Sequence, residues 1–466
     1  MKYIILLSGF IIFNMSYAQD AQSTILQFDE YLGYVKKYHP VVKQAELIID
    51  EGQAGLMRAR GAFDPKLEVD YERKDFKSFE YYDKLNATFK IPTWYGIDLK
   101  ANFEQNQGVF LNPEATVPED GLYSVGVSFS VAQGLLINKR MASVKQAKLF
   151  RKQAKVDRDF LVNNILFEAS IAYFEWLQAY NETLVFNDFL SNAEMRFNGI
   201  KQSVRAGDLA AIDSVEARIT MNNRKLNLEK ARVKLMKSTL KVSNFLWLEN
   251  NIPVELQNNV VPDIVNEQRI DDVLNVSDLS LEAISIESHP KLLSLSYKYE
   301  SLKVEKRLRM NMLLPTINLE YNFLSETPEI ARSFNTAMYK SGVTIRFPLF
   351  LRKERGELKL SNLKLQDQEF EIENTKLRIR NKINAIQQEL VSFELQNELT
   401  KQIVDDYDRL LRSEERKFEL GESSLFLVNT REGKLIDAQL KAIEIQNKFL
   451  STKASLFNSL ALNPNL

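Results

Sequence analysis

A chain of 466 residues that is 45% hydrophobic and 26% charged has the composition of a folded protein and can bury a core. Its 61 basic and 62 acidic residues leave a formal net charge of -1, which sets aside nucleic acid and anionic surfaces as partners. Cysteine is absent, so neither a disulfide framework nor a lipid-modified cysteine is available.

The chain begins Met1-Lys2, continues with an apolar run over residues 3–13, and reaches Ser16-Tyr17-Ala18 before Gln19. A charged start, a short greasy segment and small residues at the end form a secretory signal, residues 1–18. The run is well short of the ~20 residues of a spanning helix. No later stretch holds 18 uninterrupted apolar residues, so a membrane segment in the mature chain would have to be made of strands.

The rest reads as one unit written twice. Both histidines precede proline, at His39-Pro40 and His289-Pro290, 250 residues apart. The same offset relates Pro65-Lys66-Leu67-Glu68-Val69-Asp70-Tyr71 to Pro315-Thr316-Ile317-Asn318-Leu319-Glu320-Tyr321. A first repeat over residues 19–248, a connector over 249–288 and a second repeat over 289–466 follow. Each repeat opens with an entry helix behind its His-Pro pair, where proline suits a helix start.

Strands come next. Leu67, Val69 and Tyr71 alternate with Glu68 and Asp70; Tyr123, Val125, Val127 and Phe129 alternate with Ser124, Gly126 and Ser128. In the second repeat Ile317, Leu319, Tyr321 and Phe323 alternate with polar residues, as do Val343, Ile345 and Phe347. The pattern suits a barrel strand in lipid or a half-buried soluble sheet. Gly126 aligns with Gly342 at an offset of 216, so the first repeat holds about 34 extra residues before Gly126. That insert, about residues 76–118, contains two alternating runs, Leu85 to Ile91 and Ile97 to Phe103, around Pro92-Thr93-Trp94-Tyr95-Gly96. It predicts a hairpin that extends the sheet, an external flap being the other option, with a loop over 107–121.

Proline is missing between Pro118 and Pro253 and between Pro348 and Pro464, which leaves room for long helices. Gly207 and Gly421 interrupt these stretches, so each repeat predicts a helical hairpin with its tip at the glycine. Residues 135–206 number 72 and would run roughly 108 Å as helix. Leu365, Ile372, Ile379, Ile386 and Phe393 step by seven, interleaved with Ile383, Leu390, Val404, Leu411 and Phe418, which is a left-handed coiled-coil seam. Phe160, Leu161, Ile165, Leu166, Ile171, Phe174, Trp176 and Leu177 cover a wider face, as a helix with several neighbours requires. The connector, rich in proline and asparagine, predicts a short helix around 278–288.

Four to six strands fall below the eight of the smallest transmembrane barrels, and an open edge in lipid leaves backbone groups unsatisfied. Membrane insertion then requires several copies to close one barrel. The His-Pro openings, Phe63-Asp64-Pro65-Lys66-Leu67, the Gly126-Val127-Ser128-Phe129 and Gly342-Val343-Thr344-Ile345 strands, and the two glycine turns in this order resemble the TolC-type outer-membrane efflux proteins. The resemblance covers essentially the whole mature chain and implies a mainly helical fold with a transmembrane β-barrel part. It implies a homotrimer in the outer membrane, continued through the periplasm by an α-helical coiled-coil tunnel. It further implies a periplasmic membrane-fusion adaptor and an inner-membrane pump as partners, for efflux or type I secretion, with no cofactor and no metal.

On that resemblance Arg205, Gly207, Asp208, Leu209, Leu420, Gly421, Glu422, Ser423 and Ser424 are adaptor-docking tips, though the same residues serve simply as helix caps. Asp405, Asp406, Asp408, Glu414 and Glu415 are candidates for an acidic entrance constriction, or belong to an outer solvated face. An enzyme is disfavoured because no HExxH, GxSxG or phosphate-loop pattern occurs. The remaining rival is a soluble periplasmic coiled-coil scaffold or adaptor, which explains the heptads but not the strands. The transported substrate is not written in the sequence.

Overall fold

Prolines and glycines bound nearly every element of the computed structural model, which describes residues 24–257, 259–264, 267–277, 286–328, 335–464 and 466. The signal segment lies outside these residues, as does most of the helix expected around 278–288. The chain starts with β1 (Thr24–Leu26), α1 (Phe28–Tyr38) and α2 (Pro40–Arg60), then β2 (Lys66–Phe76), β3 (Phe79–Pro92), β4 (Ile97–Gln107) and β5 (Leu122–Ser130). Next come α3 (Lys139–Ala206), α4 (Ala211–Ser243), β6 (Trp247–Leu248), β7 (Ile252–Pro253), β8 (Val260–Pro262) and α5 (Glu267–Leu274). The second repeat runs α6 (Pro290–Asn311), β9 (Thr316–Ser325), β10 (Tyr339–Arg346), α7 (Arg352–Glu419) and α8 (Leu425–Ser459).

Six strands form one antiparallel sheet in the order β10-β9-β5-β4-β3-β2. The inserted hairpin is therefore part of the sheet, between β2 and β5. Its own turn lies between Pro92 and Ile97, and a second turn at Lys77 and Ser78, both with positive φ, returns β2 directly into β3.

The two long helices are both 68 residues, about 102 Å each. In the half nearer the sheet α2 and α6 pack against α3, and α6 also packs against α7. In the other half α4 lies on α3, and α8 lies on α7 and α3. The main core sits where these halves meet. Tyr31, Leu32, Leu166, Tyr173, Phe174, Trp176 and Phe457 are fully buried there, and Ile270 and Leu274 of α5 close it from the connector. Phe28 stacks on Phe174 with ring centroids 5.1 Å apart, and Tyr173 donates its hydroxyl to the Leu26 carbonyl at 2.7 Å. This cluster, with the short parallel pair β1 and β8, is a girdle around the middle of the long helices.

Candidate functional site: the sheet faces and the helical tips

The register of the sheet gathers its alternating residues into two unlike faces. Val69, Ala87, Phe103, Tyr123 and then Phe323 and Val343 belong to one face, where Val125 lies opposite Ala101 and Phe323, and Val343 opposite Leu319. This face stays open: Leu67 is 72% exposed, and Val343 and Ile345 are 66% exposed. A continuous apolar band of this size on a water-facing surface is unstable and calls for a covering layer. The opposite face is polar and internally bonded. Lys100 meets Glu320 at 2.7 Å, reaching across Gly126, which lies between them in the sheet. Thr88 donates to Asn102 at 2.8 Å, Ser130 to Asn318 at 2.7 Å, and Lys90 pairs with Asp98 at 2.9 Å. Strands of 8 to 14 residues match the length a tilted strand needs to cross a hydrocarbon layer.

Aromatic residues mark both ends of the band. Phe63 stacks on Trp94 at 5.4 Å beside the helices, and Tyr81 stacks on Phe110 at 4.5 Å at the far end. Such belts are the pattern of a lipid boundary.

At the other extremity each helical hairpin turns through a glycine with positive φ, +88° at Gly207 and +78° at Gly421. The bonding is the same in both. Asp208 N–H donates to the Ser203 carbonyl and Gly207 N–H to Val204; Glu422 N–H donates to Lys417 and Gly421 N–H to Phe418. This is the Schellman closure, which satisfies carbonyls left over at the helix end and requires a left-handed residue that glycine supplies without strain. The two tips touch: Leu425 packs against Ile200 and Ala217. Arg205, Gly207, Asp208, Leu420, Gly421, Glu422 and Ser424 are exposed, while Leu209 and Ser423 are half-buried, the Ser423 hydroxyl donating to Glu414 at 2.5 Å.

The acidic candidates separate into two sets. Asp405 and Asp406 are exposed, and Asp408, partly covered, pairs with Arg412 on its own helix at 2.9 Å. Glu415 instead bonds Arg196 of α3 at 3.0 Å, and Glu414 faces Arg431 at 3.8 Å. Beside them lies a group that the sequence does not announce. Glu432 of α8 is fully buried and receives Arg196 at 2.6 Å and Arg224 of α4 at 3.1 Å. Four helices are thus tied together a few turns above the tips. Only the fold brings residues more than 200 positions apart to this point.

The two histidines cap helices. Val41 N–H donates to His39 Nδ1 at 3.2 Å and Lys291 N–H to His289 Nδ1 at 3.1 Å. Burial lowers the pKa of both below the usual histidine value, opposed by hydrogen bonds to the backbone at Asn244 and Ser459, the ends of α4 and α8. Each His-Pro pair therefore stitches an entry helix to the end of a hairpin helix. No helix among the described residues is long and apolar enough to cross a membrane, and they include no cluster of metal-ligating side chains.

A sheet with one lipid-type face, set at the end of helices about 102 Å long, defines the class: the fold is that of the TolC-type outer-membrane channels. The chain is similar over most of its length to several solved members. It superposes on CusC with a TM-score of 0.67 and 12% identity, covering 94% of this chain and 93% of that one. The Campylobacter jejuni CmeC outer membrane channel matches at 0.65 and 12%, covering 99% and 94%. The open state of the Neisseria gonorrhoeae MtrE outer membrane channel matches at 0.66 and 12%, covering 93% and 88%. No family model matches the sequence, and no curated protein matches it.

Proposed function

We propose that the protein is a passive exit duct of the outer membrane, assembled from three copies, through which an inner-membrane pump and a periplasmic adaptor deliver substrates to the exterior. The observation that supports this most is the pairing of an apolar, open-edged sheet with long hairpins. Six strands cannot close a barrel, but three copies supply 18 and leave no edge in lipid. A soluble scaffold would leave Leu67, Val343 and Ile345 in water, so that reading is disfavoured.

A second exposed stripe supports the assembly. On α7, Leu363, Phe370 and Leu377 step by seven, and Val391, Leu395, Leu399, Ile403 and Leu410 continue the line, all exposed. On α4, Ile212, Ile219, Leu226, Val233 and Leu240 step by seven and are exposed as well. Measured from the two tips, Ile219 lies level with Leu410, Leu226 with Ile403 and Val233 with Leu395. These are two halves of one coiled-coil seam between neighbouring copies. In this assembly the polar sheet face lines the pore, the tips at Gly207 and Gly421 meet the adaptor, and the exposed Asp405 and Asp406, the latter 3.9 Å from Arg409 on its own helix, line the entrance.

Fractionation and mass test the reading. The protein should require detergent for extraction from the outer membrane and should run as three copies in mild detergent. Recovery as a soluble monomer would refute it. Cross-linking probes at Asp208 and Ser424 should capture the adaptor, and a probe at Tyr95 should not.

A further inference from the structure

The sheet ends in β2 on one side and β10 on the other, and the internal repeat relates both edges to strands that are already paired. An offset of 250 carries Lys66, the first residue of β2, to Thr316, the first of β9. An offset of 216 carries Ser130, the last of β5, to Arg346, the last of β10. Within one chain β5 pairs with β9, setting Ser130 opposite Asn318, Ser128 opposite Glu320 and Gly126 opposite Asn322. Resting on the three-copy reading, we infer that β10 repeats this junction on β2 of the next copy in a single register. Arg346 then lies opposite Glu68, Thr344 opposite Asp70 and Gly342 opposite Glu72. On the lipid face Ile345 meets Val69 and Val343 meets Tyr71.

Three features bear on this register, the second of them the steric reason for the glycine pair that sets the 216 offset. The first is charge. Glu68, Asp70, Glu72 and Arg346 are exposed and have no ion-pair partner among the described residues, and the register sets Arg346 beside the acidic row. The outermost pair, Lys340 and Lys74, is alike in sign, but Lys74 turns aside over the Tyr81 ring at 4.8 Å.

The second is the glycine pair. A Cβ on Gly126 would overlap the Tyr321 carbonyl and the Asn322 backbone of the neighbouring strand, so this junction needs glycine. Its counterpart Gly342 has nothing within 4 Å in one chain. The repeat has kept the clearance on an edge where only another copy can use it.

The third is barrel geometry. Register partners lead across the sheet from Lys66 through Lys90, Lys100, Gly126 and Asn322 to Lys340. Closure of Lys340 on Lys74 displaces this path by about eight residues per copy, or about 24 around three copies. With ~3.3 Å rise and ~4.8 Å between strands, an 18-stranded barrel of that stagger tilts its strands by roughly 42°, inside the 35–45° of membrane barrels. A slip of two residues gives roughly 35°, at the lower edge of that range, where Arg346 would face Lys66, or roughly 49°, beyond its upper end.

The cysteine-free chain allows a clean test. Val69 and Ile345 stand on opposite edges of one chain's sheet, so a disulfide between them must join two copies. The double variant Val69→Cys with Ile345→Cys should oxidise to a covalent trimer on a denaturing gel. Val69→Cys with Val343→Cys, and Val69→Cys with Phe347→Cys, should remain largely monomeric. Linkage in either shifted pair and not in the first overturns the register while leaving the trimer standing. Failure of all three pairs in a protein that still measures as three copies overturns the β2 to β10 junction. A protein that is not trimeric in mild detergent removes the underlying reading itself. As a second arm, Glu68→Arg should weaken the trimer and Arg346→Glu in the same chain should restore it; weakening without restoration denies the ion pair.

Discussion

The helices α3 and α7 are copies of one element, equal in length and each closed by the same glycine turn, yet their surroundings differ. α3 is enclosed by α2, α4, α6 and α8, and its Trp176, Phe174 and Leu166 lie in the main core. α7 packs mainly against α6 and α8, touches α3 near the tips through Leu411 and Glu415, and carries a line of exposed apolar residues on its other side. Duplication supplied two equivalent helices, and burial within the chain has used one of them more fully, leaving on the other an exposed stripe that the proposed assembly would cover with another copy.

The largest test of that contrast is on α7. Under the proposed three-copy assembly, Leu399→Asp combined with Ile403→Asp should abolish the trimer with helix content retained, measured by light scattering in detergent and by far-UV circular dichroism. An unchanged trimer would mean that this stripe is not a seam. On α3, Trp176→Ala should lower stability by about 3–5 kcal/mol in denaturant unfolding, because a large side chain leaves an enclosed cavity. Leu377→Ala on the exposed stripe should cost a dissociated chain under about 0.5 kcal/mol.

Glu432→Ala should cost about 3 kcal/mol, since Arg196 and Arg224 lose the buried carboxylate that both of them approach. Under the proposed function it should also raise single-channel conductance in lipid bilayers, because four helices near the tips are released together.

The histidines give a pH dependence. Their folded-state pKa values are lowered, so the stability they contribute is complete above the unfolded value of 6.5 and is lost as pH falls through the folded value. Protonation also removes the Nδ1 acceptors that cap α2 and α6. The thermal midpoint should therefore drop as pH falls below 6.5, and His39→Asn with His289→Asn, which keeps a capping oxygen, should flatten the drop. The smallest contrast is at the tips. Ser424 caps α8 by a long bond from Leu427 N–H at 3.4 Å, whereas Ala210 gives α4 no side-chain cap. Ser424→Ala should cost about 0.5 kcal/mol and Ala210→Ser should gain a similar amount in thermal unfolding.

The sequence made the backbone plan readable because that plan depends on local chemistry. Prolines excluded helix from the sheet region, glycines placed both tips, and period-two alternation located every strand of the six-stranded sheet, though β2, β3, β4 and β10 each run four to six residues beyond the alternating segment at one end. What it left out depends on neighbours. The seam from Leu365 to Phe418 was visible as a heptad, but the adjacent stripe at Leu363, Phe370 and Leu377 has the same period and is recognised only once the first is seen to be covered. α5 escaped because eight residues with Ile270, Val273 and Leu274 on one side resemble any polar connector until a core stands opposite. Glu432 is one acidic residue among 62, and nothing local marks it as fully buried. Glu415 could be named as acidic from sequence, but its partner Arg196 comes from another helix 219 positions away.

The equal length of α3 and α7 fixes more than the position of two turns. Both leave the sheet and return beside each other, as Leu425 against Ile200 records. A seven-residue deletion in one of them would move its tip by about 10 Å and leave the other in place. The molecule therefore carries a length standard in duplicate. Its reach can change only by matched insertions in both repeats, descending and returning helices together, and single-helix changes should be poorly tolerated even far from every core residue.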